Sequence, residues 1–533
     1  MHGLMMDQPL LISDLIRHAD RHHASTEIVS KTVEGKLHRY TYRQAHARAR
    51  KLANALKRLG VGRHDRVATL AWNGFRHYEI YYAVAGSGAV IHTINPRLFP
   101  DQIAYIANHA EDKVVFFDTT FAPLIEKLAP QLKTVERFIP MNDPYEALIA
   151  NESEDFDWPS FDEKTAACLC YTSGTTGNPK GALYSHRSTM IHAYAAALPD
   201  TLNLSAREVV LPVVPMFHVN AWSLPYSCTL TGAKMVFPGP HLDGKSLHEL
   251  FESEGVTMSA GVPTVWLGLL TYMKEKNLRF STLKTVVIGG SACPPAMIRA
   301  FQDDYGVQVL HAWGMTEMSP LGTAGTFKAK QAALPKGERE AIQGKQGRAI
   351  FGVDFRIVDE NGKELPWDGK AFGDLQVRGP WVIKSYFKGD GGDPLQRDGK
   401  NTGWFPTGDV CTIDPEGYIQ ITDRSKDVIK SGGEWISSID LENIAIAHPA
   451  IAEAAVIGVS HPKWDERPIV VAVKRPGQEI SRDELLRFYE GKIAKWWMPD
   501  DVVFVNELPH TATGKLSKLT LRQQFKDYRL DQK

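Results

Sequence analysis

The sequence has no long apolar run and few cysteines. No stretch of about 18 apolar residues occurs along the chain, so no transmembrane helix is expected. Residues 1–7 have no basic segment followed by an apolar core, so no secretory signal is expected either. The five cysteines are scattered and odd in number. This favours core packing over disulfides or metal ligation and indicates a reducing, cytoplasmic compartment.

Charge of one sign is also missing. The formal net charge is −1, which argues against a broad nucleic-acid or membrane-binding surface, although a local basic patch could still exist. Hydrophobic residues make up 43% and charged residues 23%, as in an ordinary globular protein. The chain has 533 residues, more than one hydrophobic core normally holds, so at least two domains are expected.

A loop rich in glycine and hydroxyl residues follows the apolar run 166–170, which is typical of a buried strand. The loop reads Tyr171-Thr-Ser-Gly-Thr-Thr-Gly-Asn-Pro-Lys-Gly181. Glycines let the backbone approach a ligand, and successive N–H groups bind anions, so we expect a phosphate here. The P-loop consensus fails, because its second glycine would fall on Pro179 and Lys180 precedes a glycine. A flexible surface linker is the alternative, but linkers do not usually follow a buried strand directly.

This loop resembles the phosphate loop of the acyl-adenylate-forming superfamily, which includes acyl-CoA synthetases, peptide-synthetase adenylation domains and firefly-type luciferases. The resemblance implies that the loop binds the phosphates of ATP. The implied residues are Thr172, Ser173, Gly174, Thr175, Thr176, Gly177 and Lys180.

Two further motifs match the superfamily in order. The turn Gly289-Gly290-Ser291 would form one wall of the adenine pocket, and an ordinary strand–helix turn is the alternative. The second motif would face that wall and comprises His311, Ala312, Trp313, Gly314, Met315, Thr316 and Glu317. Glu317, with Thr172, is expected to supply oxygen ligands to Mg²⁺; a helix-capping role for Glu317 is the alternative.

The C-terminal motifs resemble those that bind ribose, coenzyme A and the reacting carboxylate. Asp409 and Arg424 match the ribose pair, and Lys426 matches the hinge position. The implied CoA-binding residues are Lys430, Ser431, Gly432, Gly433, Glu434 and Trp435. Lys515 matches the lysine that contacts the carboxylate and the α-phosphate. For the stretch that contains Lys426 and Lys430, the alternative is a charged linker with a hairpin. For Lys515, the alternative is a lysine that is only solvated.

The segment 216–222 matches the superfamily's aromatic and histidine segment beside the acyl channel. The residues implied to contact the acyl group are His218, Val219, Asn220, Trp222, Gly289 and Trp313. His218 is a candidate gate to the CoA tunnel, although a lone histidine is more often structural. Trp222, Trp313 and Met318 are bulky and should shorten the channel.

The order of apolar runs predicts an α/β fold. Strand-like and helical stretches alternate up to about residue 350, which predicts parallel-rich sheets with helices. Short strands separated by turns then suggest a small β-barrel over about 352–423. We expect an N-terminal domain over 1–425 and a mobile α+β domain over 426–533, hinged at Lys426. The Gly- and Asp-rich stretch 388–403 is typical of a mobile loop.

The motifs imply an AMP-forming acyl-CoA ligase that converts a carboxylic acid, ATP and CoA in two steps, with Mg²⁺. No side-chain nucleophile is needed. The sequence as a whole most resembles bacterial medium-chain acyl-CoA synthetases and 3-methylmercaptopropionyl-CoA ligases. The expected substrates are therefore 3-(methylsulfanyl)propionate or short- and medium-chain fatty acids. A cytoplasmic homodimer without nucleic-acid or integral membrane partners is expected. Carrier-protein loading and luciferase-like oxygenation stay open; a non-catalytic nucleotide-binding protein is disfavoured because Lys430 and Lys515 are present.

Overall fold

The computed structural model describes residues 1, 3–172, 178–397, 403–425, 427–431, 434–510 and 516–530, with backbone only at 434 and 435. The chain divides into two compact units. The first contains residues 1–174, 178–354 and 378–395. The second contains residues 175–177, 355–377 and 396–533. Among the described residues, no helix is long and apolar enough to cross a membrane.

The strands are numbered along the chain. They are β1 (Glu27–Lys31), β2 (Leu37–Thr41), β3 (Arg66–Leu70), β4 (Val90–Thr93), β5 (Asp112–Phe117), β6 (Arg137–Pro140), β7 (Ala166–Tyr171), β8 (Gly181–Ser185), β9 (Val209–Pro212), β10 (Lys234–Phe237), β11 (Met258–Gly261), β12 (Thr285–Ile288), β13 (Gln308–Gly314), β14 (Leu321–Ala324), β15 (Arg348–Ala349), β16 (Asp354–Val358), β17 (Gly373–Arg378), β18 (Phe405–Ile413), β19 (Ile419–Arg424), β20 (Ile429–Ser431), β21 (Glu434–Ile436), β22 (Ile451–His461), β23 (Asp465–Lys474) and β24 (Asp501–Phe504).

The helices are numbered in the same way. They are α1 (Ile12–His22), α2 (Tyr42–Arg58), α3 (Phe75–Gly86), α4 (Pro100–Ala110), α5 (Ala122–Leu128), α6 (Asp143–Ala150), α7 (His186–Ala197), α8 (Val219–Trp222), α9 (Leu224–Thr231), α10 (Gly244–Glu254), α11 (Pro263–Lys276), α12 (Pro295–Arg299), α13 (Ala329–Ala332), α14 (Lys336–Gln343), α15 (Ser438–Ile446), α16 (Arg482–Tyr489) and α17 (Lys518–Gln524).

Two parallel-rich sheets build the first unit. One has the order β6-β5-β3-β4-β7-β8, and only its β7–β8 pair is antiparallel. The other has the order β15-β14-β13-β12-β11-β9-β10-β1-β2, with parallel strands from β13 to β1. Strands that alternate with helices explain the parallel pairing, because each crossover returns the chain to the same end of the sheet. The predicted α/β class is confirmed.

Helix α3 and Asn73 hold these sheets together. Eleven of the twelve residues of α3 are buried, which is typical of a helix that lies inside a domain rather than on its surface. The Asn73 side chain donates to the carbonyls of Pro212 and Val214 at 2.8 and 2.9 Å and accepts from the Met216 N–H at 2.6 Å. It therefore fixes the end of β3 to the segment that leads into residues 216–222.

The second unit contains two smaller sheets. Strands β16-β17-β18-β19 form an antiparallel four-stranded sheet where the sequence predicts a small barrel. The last sheet has the order β21-β20-β23-β22, with β24 parallel to β23. Helices α15 and α16 cover an apolar cluster that includes Ile436, Leu441, Val456, Val470 and Leu485. This is the predicted C-terminal α+β architecture.

Candidate active site

The base of the predicted phosphate loop is a short antiparallel ladder. Strands β7 and β8 pair Tyr171 with Gly181, and the loop leaves and returns between them. The Thr172 N–H donates to the Lys180 carbonyl at 2.9 Å, and the Lys180 N–H donates to Thr172 Oγ1 at 3.2 Å. Ser173, Gly174, Thr175, Thr176 and Gly177 lie outside the described residues. The two loop ends, Thr172 and Lys180, are thus adjacent.

The Lys180 ammonium lies between an aromatic ring and a glycine. Its Nζ is 5.0 Å from the centre of the Tyr386 ring. Gly391 has φ +76°, and a Cβ added there would lie 2.5 Å from Lys180 Nζ. A side chain at position 391 would therefore be strained and would displace the lysine.

Glu317 lies in a short turn, Thr316–Met318, that several side chains fix in place. The Tyr184 hydroxyl donates to the Thr316 carbonyl at 2.5 Å, which ties the turn to β8. The Tyr386 hydroxyl donates to Glu317 Oε1 at 2.8 Å, and the Ile383 N–H donates to the Glu317 carbonyl at 2.9 Å. The carboxylate is thus held in one orientation while 8% of the residue stays exposed.

The oxygen chemistry of this site fits Mg²⁺. Glu317 supplies a carboxylate and Thr172 a hydroxyl, both hard donors of the kind that Mg²⁺ prefers. The described residues contain no cluster of three or more histidine, cysteine or acidic side chains suited to a metal. Such a cluster is not required, since Mg²⁺ commonly takes one or two protein oxygens together with water and substrate phosphates.

The two predicted walls of the adenine pocket are neighbours. Strands β12 and β13 are parallel, with Ile288 opposite His311, so Gly289 emerges beside Ala312. A Cβ on Gly289 would lie 2.8 Å from the Ala312 carbonyl oxygen, which explains the need for glycine. The Cys293 N–H donates to His311 Nε2 at 3.3 Å. Burial lowers the pKa of His311 to about 4, so the ring is neutral at pH 7.

Trp222 packs on the same two glycines. A Cβ added to Gly289 would lie 3.2 Å from the Trp222 ring, and one added to Gly290 would lie 4.0 Å from it. Trp313 and Met318 pack elsewhere, on Gly322 of β14, where an added Cβ would lie 2.7 and 2.8 Å from them. Of the three bulky residues, Trp222 is therefore the one that contacts the Gly289–Gly290 turn.

Helix α8, the short segment that carries Trp222, has a left-handed rather than a right-handed backbone. Five consecutive residues, 219–223, have φ between 46° and 67° although none is glycine. Asn220 is buried and contacts both β7 thiols: Cys168 Sγ and Cys170 Sγ lie 3.3 and 3.2 Å from its Oδ1. His218, half-buried, directly precedes the turn. A left-handed run costs about 1–2 kcal/mol per residue, so these contacts must compensate for it.

The predicted ribose pair is formed within the second unit. Asp409 and Arg424 lie opposite each other on β18 and β19. Arg424 Nε is 3.0 Å from Asp409 Oδ1, and the Asp409 N–H donates to Thr407 Oγ1 at 3.1 Å. Asp409 is buried, whereas half of the Arg424 side chain is exposed. The arginine thus shields and orients the carboxylate.

The C-terminal candidates are described only in part. Lys430 lies on β20 with an exposed side chain, and its N–H donates to Glu466 Oε2 at 3.0 Å. Ser431 is buried, and its hydroxyl accepts from Arg467 at 3.1 Å. Lys426, Gly432, Gly433 and Lys515 lie outside the described residues, as do the side chains of Glu434 and Trp435.

Three residues that shape this site carry no recognisable signal of that role in the sequence. Tyr386 lies in a stretch without helical or strand periodicity, so its contacts with Glu317 and Lys180 were not expected. Cys168 and Cys170 were expected to be packing residues only, yet they anchor Asn220. All four contacts join residues that are distant along the chain, which single-sequence patterns do not report.

Two protein-family models together match most of the chain. Residues 15–387 match the model of the AMP-binding enzyme family, and residues 440–515 match that of the AMP-binding enzyme C-terminal domain.

Relatives and a solved structure agree with this match. The chain is 55% identical to the 3-methylmercaptopropionyl-CoA ligase of Ruegeria lacuscaerulensis, covering 99% of each chain. It is 51% identical to the medium-chain-fatty-acid–CoA ligase of Ectopseudomonas oleovorans, covering 99% of this chain and 98% of that one. The crystal structure of the anthranilate CoA ligase AuaEII with anthranoyl-AMP superposes with a TM-score of 0.85 at 25% identity, covering 98% of each chain.

Proposed function

We propose that this chain, which belongs to the AMP-binding enzyme family and is an AMP-forming acyl-CoA synthetase, activates short- or medium-chain carboxylic acids, 3-(methylsulfanyl)propionate among them. Its substrates are a carboxylic acid, ATP and CoA. The names of the two relatives at 55% and 51% identity support this range of acids.

One observation carries the proposal on chain length. The Trp222 ring lies against Gly289 and Gly290 at the end of β12, on the segment assigned to the acyl channel. An indole there occupies space that a long alkyl chain would need. Its face also suits a thioether, since sulfur packs favourably against aromatic rings.

We propose that adenylation uses Lys180, Glu317 and Lys515. The substrate carboxylate attacks the α-phosphorus of ATP, an acyl-adenylate forms and pyrophosphate leaves. Lys180 and Lys515 would stabilise the charge that builds on the phosphoryl oxygens. Glu317 and Thr172 would hold Mg²⁺, which when bound neutralises charge on the phosphates. The glycine-rich residues 173–177 would bind phosphate oxygens through their N–H groups.

The adenylate would be held at its base and ribose. Gly289, Gly290 and Ser291 would lie along one face of the adenine, and residues 311–316 along the other. Asp409 would accept hydrogen bonds from the ribose hydroxyls, with Arg424 holding that carboxylate in orientation.

The thioester step would use different residues. The CoA thiolate attacks the acyl carbon, and AMP leaves with its phosphate oxygen. Lys430 and residues 431–435 would line the pantetheine path, and His218 would control passage from the acyl pocket. Lys426 would be the hinge that exchanges Lys515 for this loop.

We also propose a cytoplasmic homodimer. All five cysteines are free thiols, which supports a reducing compartment. The homodimer follows from the family resemblance.

AMP release tests the function and the pocket together. The assay uses ATP with and without CoA, and a panel of acids from propionate to dodecanoate that includes 3-(methylsulfanyl)propionate. AMP release that needs both acid and CoA, with the highest kcat/KM for a short or medium acid, is expected. Trp222→Ala should move the optimum to longer acids.

Two results would contradict the proposal. Acid-dependent pyrophosphate exchange without CoA consumption would indicate a carrier-loading enzyme, and oxygen consumption would indicate a luciferase-like oxygenase. An unchanged chain-length profile in Trp222→Ala would remove Trp222 from the pocket. Trp158→Ala, which removes an indole packed on Gly86, is the matched control and should leave the chain-length profile unchanged.

A further inference from the structure

We propose that Tyr386 is a positioning residue that joins the two charged groups of the ATP site, orienting Glu317 for Mg²⁺ and Lys180 for the ATP phosphates. The inference rests on the proposed function, because it takes from there the roles of Glu317 and Lys180. Tyr386 itself needs no contact with ATP.

The Tyr386 hydroxyl orients the Glu317 carboxylate. It donates to Glu317 Oε1 at 2.8 Å. A phenolic hydroxyl, with an ordinary pKa of about 10, is protonated at pH 7 and acts as a donor. A hydrogen bond to an ionised acceptor is directional and stronger than a neutral one. One rotation of the carboxylate is therefore preferred before any metal arrives.

The Tyr386 ring positions the Lys180 ammonium group. Lys180 Nζ lies 5.0 Å from the ring centre, within the range of a cation–π contact. Gly391 has no side chain to compete for this place, since a Cβ there would lie 2.5 Å from Nζ. One side chain thus contacts the cation through its ring and the anion through its hydroxyl.

Tyr386 can do this because its own segment, residues 381–391, is fixed along its length. Trp381 Nε1 donates to the Leu321 carbonyl at 3.1 Å, and the Ile383 N–H donates to the Glu317 carbonyl at 2.9 Å. On the other side, Lys388 pairs with Glu111 at 2.5 Å, and Asp390 lies 3.6 Å from His109 Nε2. The mobility expected of residues 388–403 stays a prediction.

The test separates metal orientation from general damage. ATP affinity is measured by calorimetry on the full chain, once with Mg²⁺ and once with EDTA, and the ratio of the two dissociation constants gives the magnesium enhancement. Tyr386→Phe keeps the ring and removes the hydroxyl. It should lower the enhancement about tenfold while ATP affinity in EDTA stays unchanged. Tyr386→Leu should also weaken ATP binding in EDTA, by about threefold, because Lys180 loses its ring.

Three other variants serve as controls. Tyr42→Phe removes a more deeply buried hydroxyl that donates to the Ala233 carbonyl at 2.7 Å, and it should change neither affinity. Glu317→Gln should abolish the enhancement, and Lys180→Ala should weaken ATP binding in EDTA.

The outcomes distinguish this inference from the function on which it rests. A Tyr386→Phe enzyme with the wild-type enhancement, beside a Glu317→Gln enzyme that has lost it, would overturn the positioning role and leave the proposed site intact. An equal loss of affinity with Mg²⁺ and with EDTA in Tyr386→Phe would also overturn it. If Glu317→Gln keeps the enhancement, the proposed metal site fails, and the inference fails with it.

Discussion

Asp118 is a buried carboxylic acid whose ionised form is disfavoured in the folded protein. It follows β5, is 6% exposed, and its Oδ2 accepts from the Trp72 N–H at 2.7 Å. Burial raises the pKa of Asp118 to about 7, against a smaller lowering by that hydrogen bond and by Arg76. The unfolded chain, with a pKa near 4, releases this proton much more easily.

Asp118→Asn should therefore flatten part of the pH dependence of stability. Between pH 4 and about 7 the folded protein holds a proton that the unfolded chain has lost, so Asp118 destabilises the fold increasingly as pH rises. The full penalty is at most about 4 kcal/mol. Asparagine keeps an acceptor for Trp72, so the melting temperature of the variant should exceed that of wild type at pH 8 and approach it at pH 4.5. If the melting temperatures of wild type and variant change with pH in parallel, ionisation of Asp118 costs the folded protein no stability, and the prediction is wrong.

Individual site residues were predictable only where a motif carries them. The ends of the phosphate loop, Thr172 and Lys180, and the facing pair Gly289 and Ala312 lie together as the motifs imply. The contacts of Tyr386 could not be predicted, because a 69-residue separation from Glu317 along the chain leaves no local pattern. Roles assigned to residues outside the described ranges, Lys515 above all, remain predictions.

At the scale of elements, local sequence patterns were good guides. The sequence Thr41-Tyr-Arg-Gln44 has the form of a capping box, and the structure has that box at the start of α2, which ends at Arg58 shortly before Gly60. The short runs 234–237, 285–288 and 354–358 have the pattern of strands, and β10, β12 and β16 have these bounds. Antiparallel partners such as β8 and β14 were missed, since a short strand of mixed polarity is recognised only by what it pairs with.

No local sequence pattern predicts the left-handed turn before α9 either. Right-handed helix is the default for L-residues, and a run of valine, asparagine, alanine, tryptophan and serine gives no glycine signal. Tertiary contacts, including those of Asn220 with the β7 thiols, override the local preference here.

Ser223, the last residue of that turn, should tolerate glycine better than alanine. Its φ is 67°, and its buried hydroxyl has no hydrogen-bond partner among the residues that the structure describes, so either replacement removes an unsatisfied group. Only Ser223→Gly also relieves the left-handed strain, so it should be more stable than Ser223→Ala by about 1 kcal/mol. In a right-handed helix the order is reversed by a similar amount. Thermal melts of the two variants at one scan rate decide between these orders.

At the scale of the whole molecule, two half-reactions depend on two lysines. Lys515→Ala should abolish pyrophosphate exchange but still convert preformed acyl-adenylate and CoA into thioester. Lys430→Ala, on the exposed side of β20, should do the reverse. A folded Lys515→Ala enzyme that fails in both half-reactions would contradict this division of labour.

The burial of every cysteine has a practical consequence for following such a cycle. All five thiols are enclosed, and burial raises the pKa of Cys293 to about 12 and that of Cys228 further still. Wild-type protein therefore offers a maleimide dye nothing accessible to react with. A cysteine introduced at exposed Leu267 and another at exposed Lys463 would each be labelled selectively, without removing a native cysteine. Fluorescence distances could then be recorded during turnover in an otherwise unaltered enzyme.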